Sequence, residues 1–118
     1  MNITLFDSEL RLMELLWESG PVSAKALSLS AAEIIGWNKN TTYTVLKKLE
    51  AKGYINRTEP GYICTALISR EQAQKSEANH LISRLFGGSR KALFSALLDD
   101  KALSPEEIDE LRRMIDRG

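Results

Sequence analysis

Cysteine is nearly absent from this sequence. Cys64 is the one thiol in 118 residues, which excludes a disulfide within the chain and any cysteine-rich metal cluster. That usage fits a reducing cytoplasm, where the protein is expected to reside. Histidine is as scarce. His80 stands in Glu77-Ala78-Asn79-His80-Leu81 without the clustered partners of a metal ligand, so neither a metal nor a cofactor is expected. No apolar run is long enough to cross a bilayer. The start, MNITLFDSELRLMELL, lacks the basic segment and continuous apolar core of a signal peptide. Net charge is missing too: 16 basic residues cancel 16 acidic ones, so composition alone does not point to nucleic acid. Internal repeats and low-complexity segments are lacking. No Ser/His/Asp set, paired acids or phosphate loop stands out, and no enzyme is expected.

What the sequence does have is helical periodicity with clear punctuation. Over residues 5–18, Leu10, Met13, Leu16 and Trp17 share a helical face, with Asp7 or Thr4 as the cap. Gly20-Pro21 ends that helix. Ser23 caps a second one carrying Leu27 and Leu29 and reaching toward Ile34. After Gly36, Asn38 caps a third helix that runs to Lys52, and Gly53 stops it. The period then changes. Residues 54–57 and 62–65 are short β-prone runs around the turn Glu59-Pro60-Gly61. Three helices followed by a hairpin is the order of a winged helix-turn-helix domain, placed here at residues 1–68.

Residues 69–118 read as helical throughout. Ser69-x-x-Gln72 is a capping box for a helix reaching about Phe86 and carrying Leu81 and Leu85. Gly87-Gly88 breaks it, and Ser89 opens another with Leu93, Phe94, Leu97 and Leu98 on one side. Ser104-Pro105-Glu106-Glu107 starts a last helix that presents Ile108, Leu111 and Ile115. Three amphipathic helices in so short a segment cannot bury all their apolar faces within one chain. Pairing with a second copy under two-fold symmetry is the natural solution. The expected class is therefore mainly α with a small β-hairpin, a winged helix plus a C-terminal helical dimerisation region.

The third helix carries the candidate reading surface. Rotation by about 100° per residue puts Thr42, Val45, Leu46 and Leu49 on one side. Asn40, Tyr43, Thr44, Lys47 and Ala51 fall opposite, flanked by Thr41 and Lys48. Asn suits adenine, Lys suits guanine, and Thr offers a methyl or a hydroxyl to base edges. Asn40, Thr41, Tyr43, Thr44 and Lys47 are thus the expected base readers. Lys39, Lys48, Arg57 and the helix N-terminus at Ser23 are the expected phosphate contacts. The polar side of an amphipathic helix is more often only solvated. Here, however, charge is distributed unevenly. Residues 37–57 hold Lys39, Lys47, Lys48, Lys52 and Arg57 against Glu50, a net +4. Residues 1–36 hold Arg11 and Lys25 against Asp7, Glu9, Glu14, Glu18 and Glu33, a net −3. A dipolar domain of this kind can meet phosphate with one face while the chain stays neutral.

Several of these pieces, in this order, resemble the repressors of penicillinase and methicillin-resistance genes, together with their copper-transport relatives. They are Asp7-x-Glu9-Leu10-x-x-Met13, Leu16-Trp17, Gly20-Pro21-Val22-Ser23-Ala24, Trp37, Thr41, Thr44-Val45-Leu46, Leu49, Lys52-Gly53 and Arg57. Phe86-Gly87-Gly88-Ser89 and Leu103-Ser104-x-Glu106-Glu107-Ile108-Asp109-Glu110-Leu111 complete the likeness, which spans nearly the whole chain. The resemblance implies a homodimeric repressor that binds palindromic double-stranded operators upstream of resistance or stress genes. The copper-responsive branch uses paired Cys-x-Cys motifs to hold Cu(I); none occurs here, so copper sensing is not expected. The β-lactam branch implies a membrane sensor protease system and a cut in the helix after the FGGS, matching Ala96-Leu97. The family's commoner bond joins asparagine to phenylalanine.

Two further departures concern the reading domain. The turn Thr58-Glu59-Pro60-Gly61 is shorter than usual in the family and acidic, so Arg57 is expected to touch a phosphate rather than the wing to read a minor groove. Phe6 stands where the family often has a capping threonine. Cys64 is expected in or near the core without a basic neighbour, Trp17 in the core, and Trp37 as an anchor before the third helix. Two other readings fit the same residues: a winged-helix protein–protein adaptor, and a winged-helix regulator with a small-molecule pocket between its halves.

Overall fold

This computed structural model describes residues 2–99 and 103–117, with side chains as far as Met114. The elements in chain order are α1 (Asp7–Ser19), β1 (Val22–Ser23), α2 (Ala24–Ile34), α3 (Lys39–Ala51), β2 (Ile55–Thr58), β3 (Ile63–Ala66), α4 (Arg70–Leu85), α5 (Arg90–Asp99) and α6 (Pro105–Arg117). They form two compact units, Met1–Glu77 and Ala78–Gly118. The division falls within α4.

In the first unit, α1, α2 and α3 enclose a core of Leu12, Met13, Leu16, Leu27, Ala31, Val45, Leu46 and Leu49, closed by Ile55 and Cys64 from the sheet. Burying a side chain such as Leu46 or Leu49 stabilises the fold by roughly 1.5–3 kcal/mol. The sheet is antiparallel, in the order β1-β3-β2. β1 is too short to be read from sequence; Val22 pairs with Cys64 and Ser23 with Ile63. In the hairpin, Arg57 pairs with Cys64 and Thr58 with Ile63.

Both strands start one residue later than the sequence suggests, each for a backbone reason. Tyr54 closes α3 instead: its N–H reaches Leu49 O at 3.0 Å while Gly53 N–H reaches Glu50 O at 3.0 Å. This is a Schellman motif, and it requires the left-handed φ of 78° that Gly53 supplies. Tyr62 has φ 54° and belongs to the turn.

The first helix also corrects the sequence reading. Its N-cap is Phe6, not Asp7 or Thr4. The Phe6 side chain can accept nothing, and the cap is made from the other direction, by Glu9 Oε1 accepting the Phe6 N–H at 2.8 Å. The buried stripe is Glu9, Leu12, Met13 and Leu16, so Leu10 is left exposed. The stripe looked rotated in the sequence because a glutamate occupies one of its core positions. In α2, Leu27 is buried but Leu29 is exposed. Before α1, Ile3 is buried and tied to α4: its N–H donates to Ser76 Oγ at 2.8 Å, and that hydroxyl donates to Ile3 O at 3.1 Å.

In the second unit the capping signals behave as read. Ser89 Oγ accepts from Ala92 N–H. Ser104 and Glu107 form a reciprocal capping box. Among the described side chains of this unit only Ile82 is buried. Leu81, Leu85, Phe94, Leu97 and Leu98 are exposed, while Leu93, Ile108 and Leu111 are half-buried. The Ile115 side chain lies outside the described residues.

Candidate nucleic-acid interface

Asn38 Oδ1 accepts the Thr41 N–H at 2.8 Å and so starts α3 where the sequence places it. Thr42, Val45, Leu46 and Leu49 are the buried side. Asn40, Thr41, Thr44, Lys47 and Lys48 are all exposed. The Thr44 hydroxyl donates to Asn40 O at 2.8 Å, which leaves its methyl and its lone pairs for an outside partner. Lys47 and Lys48 form no ion pair among the described residues.

Tyr43 is different from its neighbours. It is half-buried against the core. Its ring meets Tyr62 edge-on, with centroids 6.0 Å apart and planes at 84°. Lys39 Nζ lies 5.8 Å from the Tyr43 ring. Arg57 stacks on Tyr62 at 4.0 Å, and its Nε lies 3.4 Å from Glu50. A ladder of Lys39, Tyr43, Tyr62, Arg57 and Glu50 thus runs from α3 to the wing and back. Cation–π and edge-on ring contacts each contribute about 0.5–1 kcal/mol at such exposure. Their combined effect is to fix the wing's position beside α3. Tyr62 is the member that the sequence reading missed, because it looked like an ordinary strand residue. Its carbonyl accepts the Ala24 N–H at 2.9 Å, so the same residue also holds the start of α2.

That bond changes the picture at Ser23. Ser23 Oγ accepts the Ala26 N–H at 3.1 Å. With Ala24 N–H given to Tyr62, two of the leading donors of α2 are already used inside the protein. Fewer backbone donors are therefore left at the start of α2 for an outside anion.

The positive charge is also redistributed. Lys52 faces inward, with Nζ 2.7 Å from the buried Glu9 carboxylate and 4.5 Å from the Phe6 ring. Arg57 is shared with Glu50. Among the described residues, the cations of 37–57 left outside ion pairs are Lys39, Lys47 and Lys48, all on α3. Trp37 packs half-buried against the core ahead of them. Trp17 donates its indole N–H to Ile68 O at 2.9 Å.

Cys64 is fully buried and does have a basic neighbour, Arg57. Burial pushes its thiol up, Glu50 adds to that, and Arg57 opposes it without prevailing. The thiol stays protonated at neutral pH and is a core group, not a nucleophile. Among the described residues no group of acids, His and Cys could hold a metal ion, and no helix is long and apolar enough to cross a membrane.

A sequence model described as "Penicillinase repressor" matches residues 5–117. The chain belongs to the penicillinase repressor family. It is 23% identical over 112 residues to the penicillinase repressor of Bacillus licheniformis, covering 93% of this chain and 88% of that one. It is 22% identical over 112 residues to the methicillin resistance regulatory protein MecI of Staphylococcus aureus, covering 93% and 91%. The solution structure of the DNA binding domain of the repressor BlaI matches with a TM-score of 0.53 at 22% identity, over 61% of this chain and 93% of that domain. The first unit therefore has the winged helix-turn-helix fold, with α2 and α3 as the paired helices and β2–β3 as the wing. The protein is a transcriptional repressor and not an enzyme.

Proposed function

We propose that this repressor acts as a homodimer on a palindromic double-stranded DNA operator, one α3 entering each half-site. The observation that carries this reading is the face of α3. Its first turns expose Asn40, Thr41, Thr44 and Lys47 to solvent, while its opposite side is locked into the core. In a helix-turn-helix protein the N-terminal part of the second helix meets the bases. Base reading falls to those four residues and to the Tyr43 hydroxyl. Lys39, Lys48, Arg57 and the Ser23 hydroxyl contact phosphates. The exposed leucines and Phe94 of the second unit supply the apolar surface for pairing two copies, and the half-buried Ile108 and Leu111 belong to the same interface.

A gel shift on the DNA just upstream of the protein's own gene, repeated across salt concentrations, tests the reading. Affinity should fall steeply with salt; absence of any specific shift would refute it. Lys47→Ala should weaken operator binding by about 1–3 kcal/mol and relax preference at one base position. Tyr43→Phe keeps the ring ladder and removes only the hydroxyl, and should affect the operator but not random DNA. Lys48→Ala should lower affinity evenly across sequences and flatten the salt slope by about one. Identical footprints for all three variants and the parent would refute the assignment of α3.

The same reading includes release by a membrane sensor protease system, with a cut near Ala96-Leu97. Both residues are exposed in the middle of α5, a helix with no buried side chain. Opening that turn for a protease is correspondingly easy, and the cut would split the pairing surface. Cells carrying the cognate sensor, exposed to a β-lactam and blotted for the repressor, should show a shortened band; only full-length protein would rule the switch out.

A further inference from the structure

We propose that the groove between α1 and α4 in the first unit binds a lipophilic organic cation. Asp7, Leu10, Glu14 and Trp17 recur at intervals of three and four, so they line one face of α1. Arg70, Ala73 and Glu77 do the same on the first turns of α4. The space between has a volume of about 590 Å³ and includes Leu5 in its lining. That size suits a drug-sized molecule.

The lining specifies the chemistry. Leu10, Trp17 and Ala73 form an apolar floor. The Trp17 ring is held there by its indole hydrogen bond to Ile68 O. Asp7, Glu14 and Glu77 set three carboxylates on the rim against one cation, Arg70. Asp7 and Glu14 have no ion-pair partner among the described residues, and Glu77 accepts the Leu5 N–H at 3.1 Å.

Arg70 shows what kind of group the groove accepts. Its guanidinium sits 5.5 Å from the Trp17 ring centroid, a cation over the best aromatic acceptor. Among the described residues its one carboxylate contact is Glu18 at 3.6 Å, with both side chains exposed, and such pairs are weak. A ligand with a delocalised positive charge and aromatic surface would take over that place on Trp17 and gain the rim carboxylates. A neutral ligand would gain only the floor, and an anion would face the rim's negative charge.

Calorimetric titration of the full-length protein tests this with tetraphenylphosphonium and its isosteric anion tetraphenylborate. The titration contains no DNA, so it stands apart from the operator reading. The cation should bind saturably, and the anion more weakly by about tenfold or more. Asp7→Asn with Glu14→Gln should weaken the cation by about tenfold; both residues are exposed, and an unchanged unfolding curve confirms the fold. Arg70→Ala should strengthen it several-fold, since it removes the competing cation from Trp17. A merely structural Arg70 would give the opposite sign. Equal binding of the two ions, no effect of the acid substitutions, or no saturable binding would overturn the proposal. So would cation binding that appears only on dilution to monomer, which would assign the groove to a second copy.

Discussion

Lys52→Ala is expected to lower the unfolding free energy by about 3 kcal/mol, because it leaves a buried carboxylate without its cation. Glu9 is 1% exposed. Its Oε1 takes both the Lys52 ammonium at 2.7 Å and the Phe6 N–H at 2.8 Å, while Oε2 accepts no hydrogen bond from the described residues. The lysine is 30% exposed, so its own desolvation is modest and the strain of the deletion falls on Glu9. The pair joins the end of α3 to the start of α1 and does not lie on the reading face. Glu9→Gln combined with Lys52→Met should therefore recover most of the loss, since a neutral amide needs no cation and its oxygen can still accept the Phe6 N–H. Urea denaturation measures both, as a shift of midpoint at constant slope. A single-variant loss below about 1 kcal/mol would show that water reaches Glu9 and that the pair is an ordinary surface bridge.

Leu97→Asp is expected to abolish pairing and to weaken operator binding by about a hundredfold or more, the advantage gained when two half-site contacts are linked. Leu97 is 38% exposed on a helix with no fully buried side chain. In a pair of copies an aspartate there would lose its water without gaining a cation. In a separate chain it stays solvated, so the fold should persist. Sedimentation velocity should show a monomer, and the circular dichroism spectrum should not change. Specific binding to a half-site should survive with reduced affinity. A variant that remains dimeric would place the pairing surface elsewhere than α5.

These effects arise at places where the sequence was only partly legible. The helix starts at Asn38, Ser69 and Ser104 are written locally, because a cap and its target N–H lie three residues apart. The same holds for the stop at Gly53, where the left-handed φ needs glycine. The core side of α3 follows from its period. By contrast, Glu9 at a core position of α1 shifted the apparent stripe toward Leu10 and Trp17; both line the α1–α4 groove, Trp17 while also packing half-buried against the core. β1 was missed because two residues have no period.

The sequence by itself determined the order of the helices and the hairpin, the core face of α3, the exposed polar face opposite it and the family to which the chain belongs. All of these rest on contacts within a turn or two, or on motifs in a fixed order. Only the tertiary structure decided which charges remain available. Lys52 counts toward a basic segment in the sequence, yet its partner Glu9 is 43 positions away. Arg57 and Tyr43 meet through Tyr62, across the join of helix and wing. Charge and ring contacts act through space, so their partners are fixed only when the core brings α1, α3 and the hairpin together.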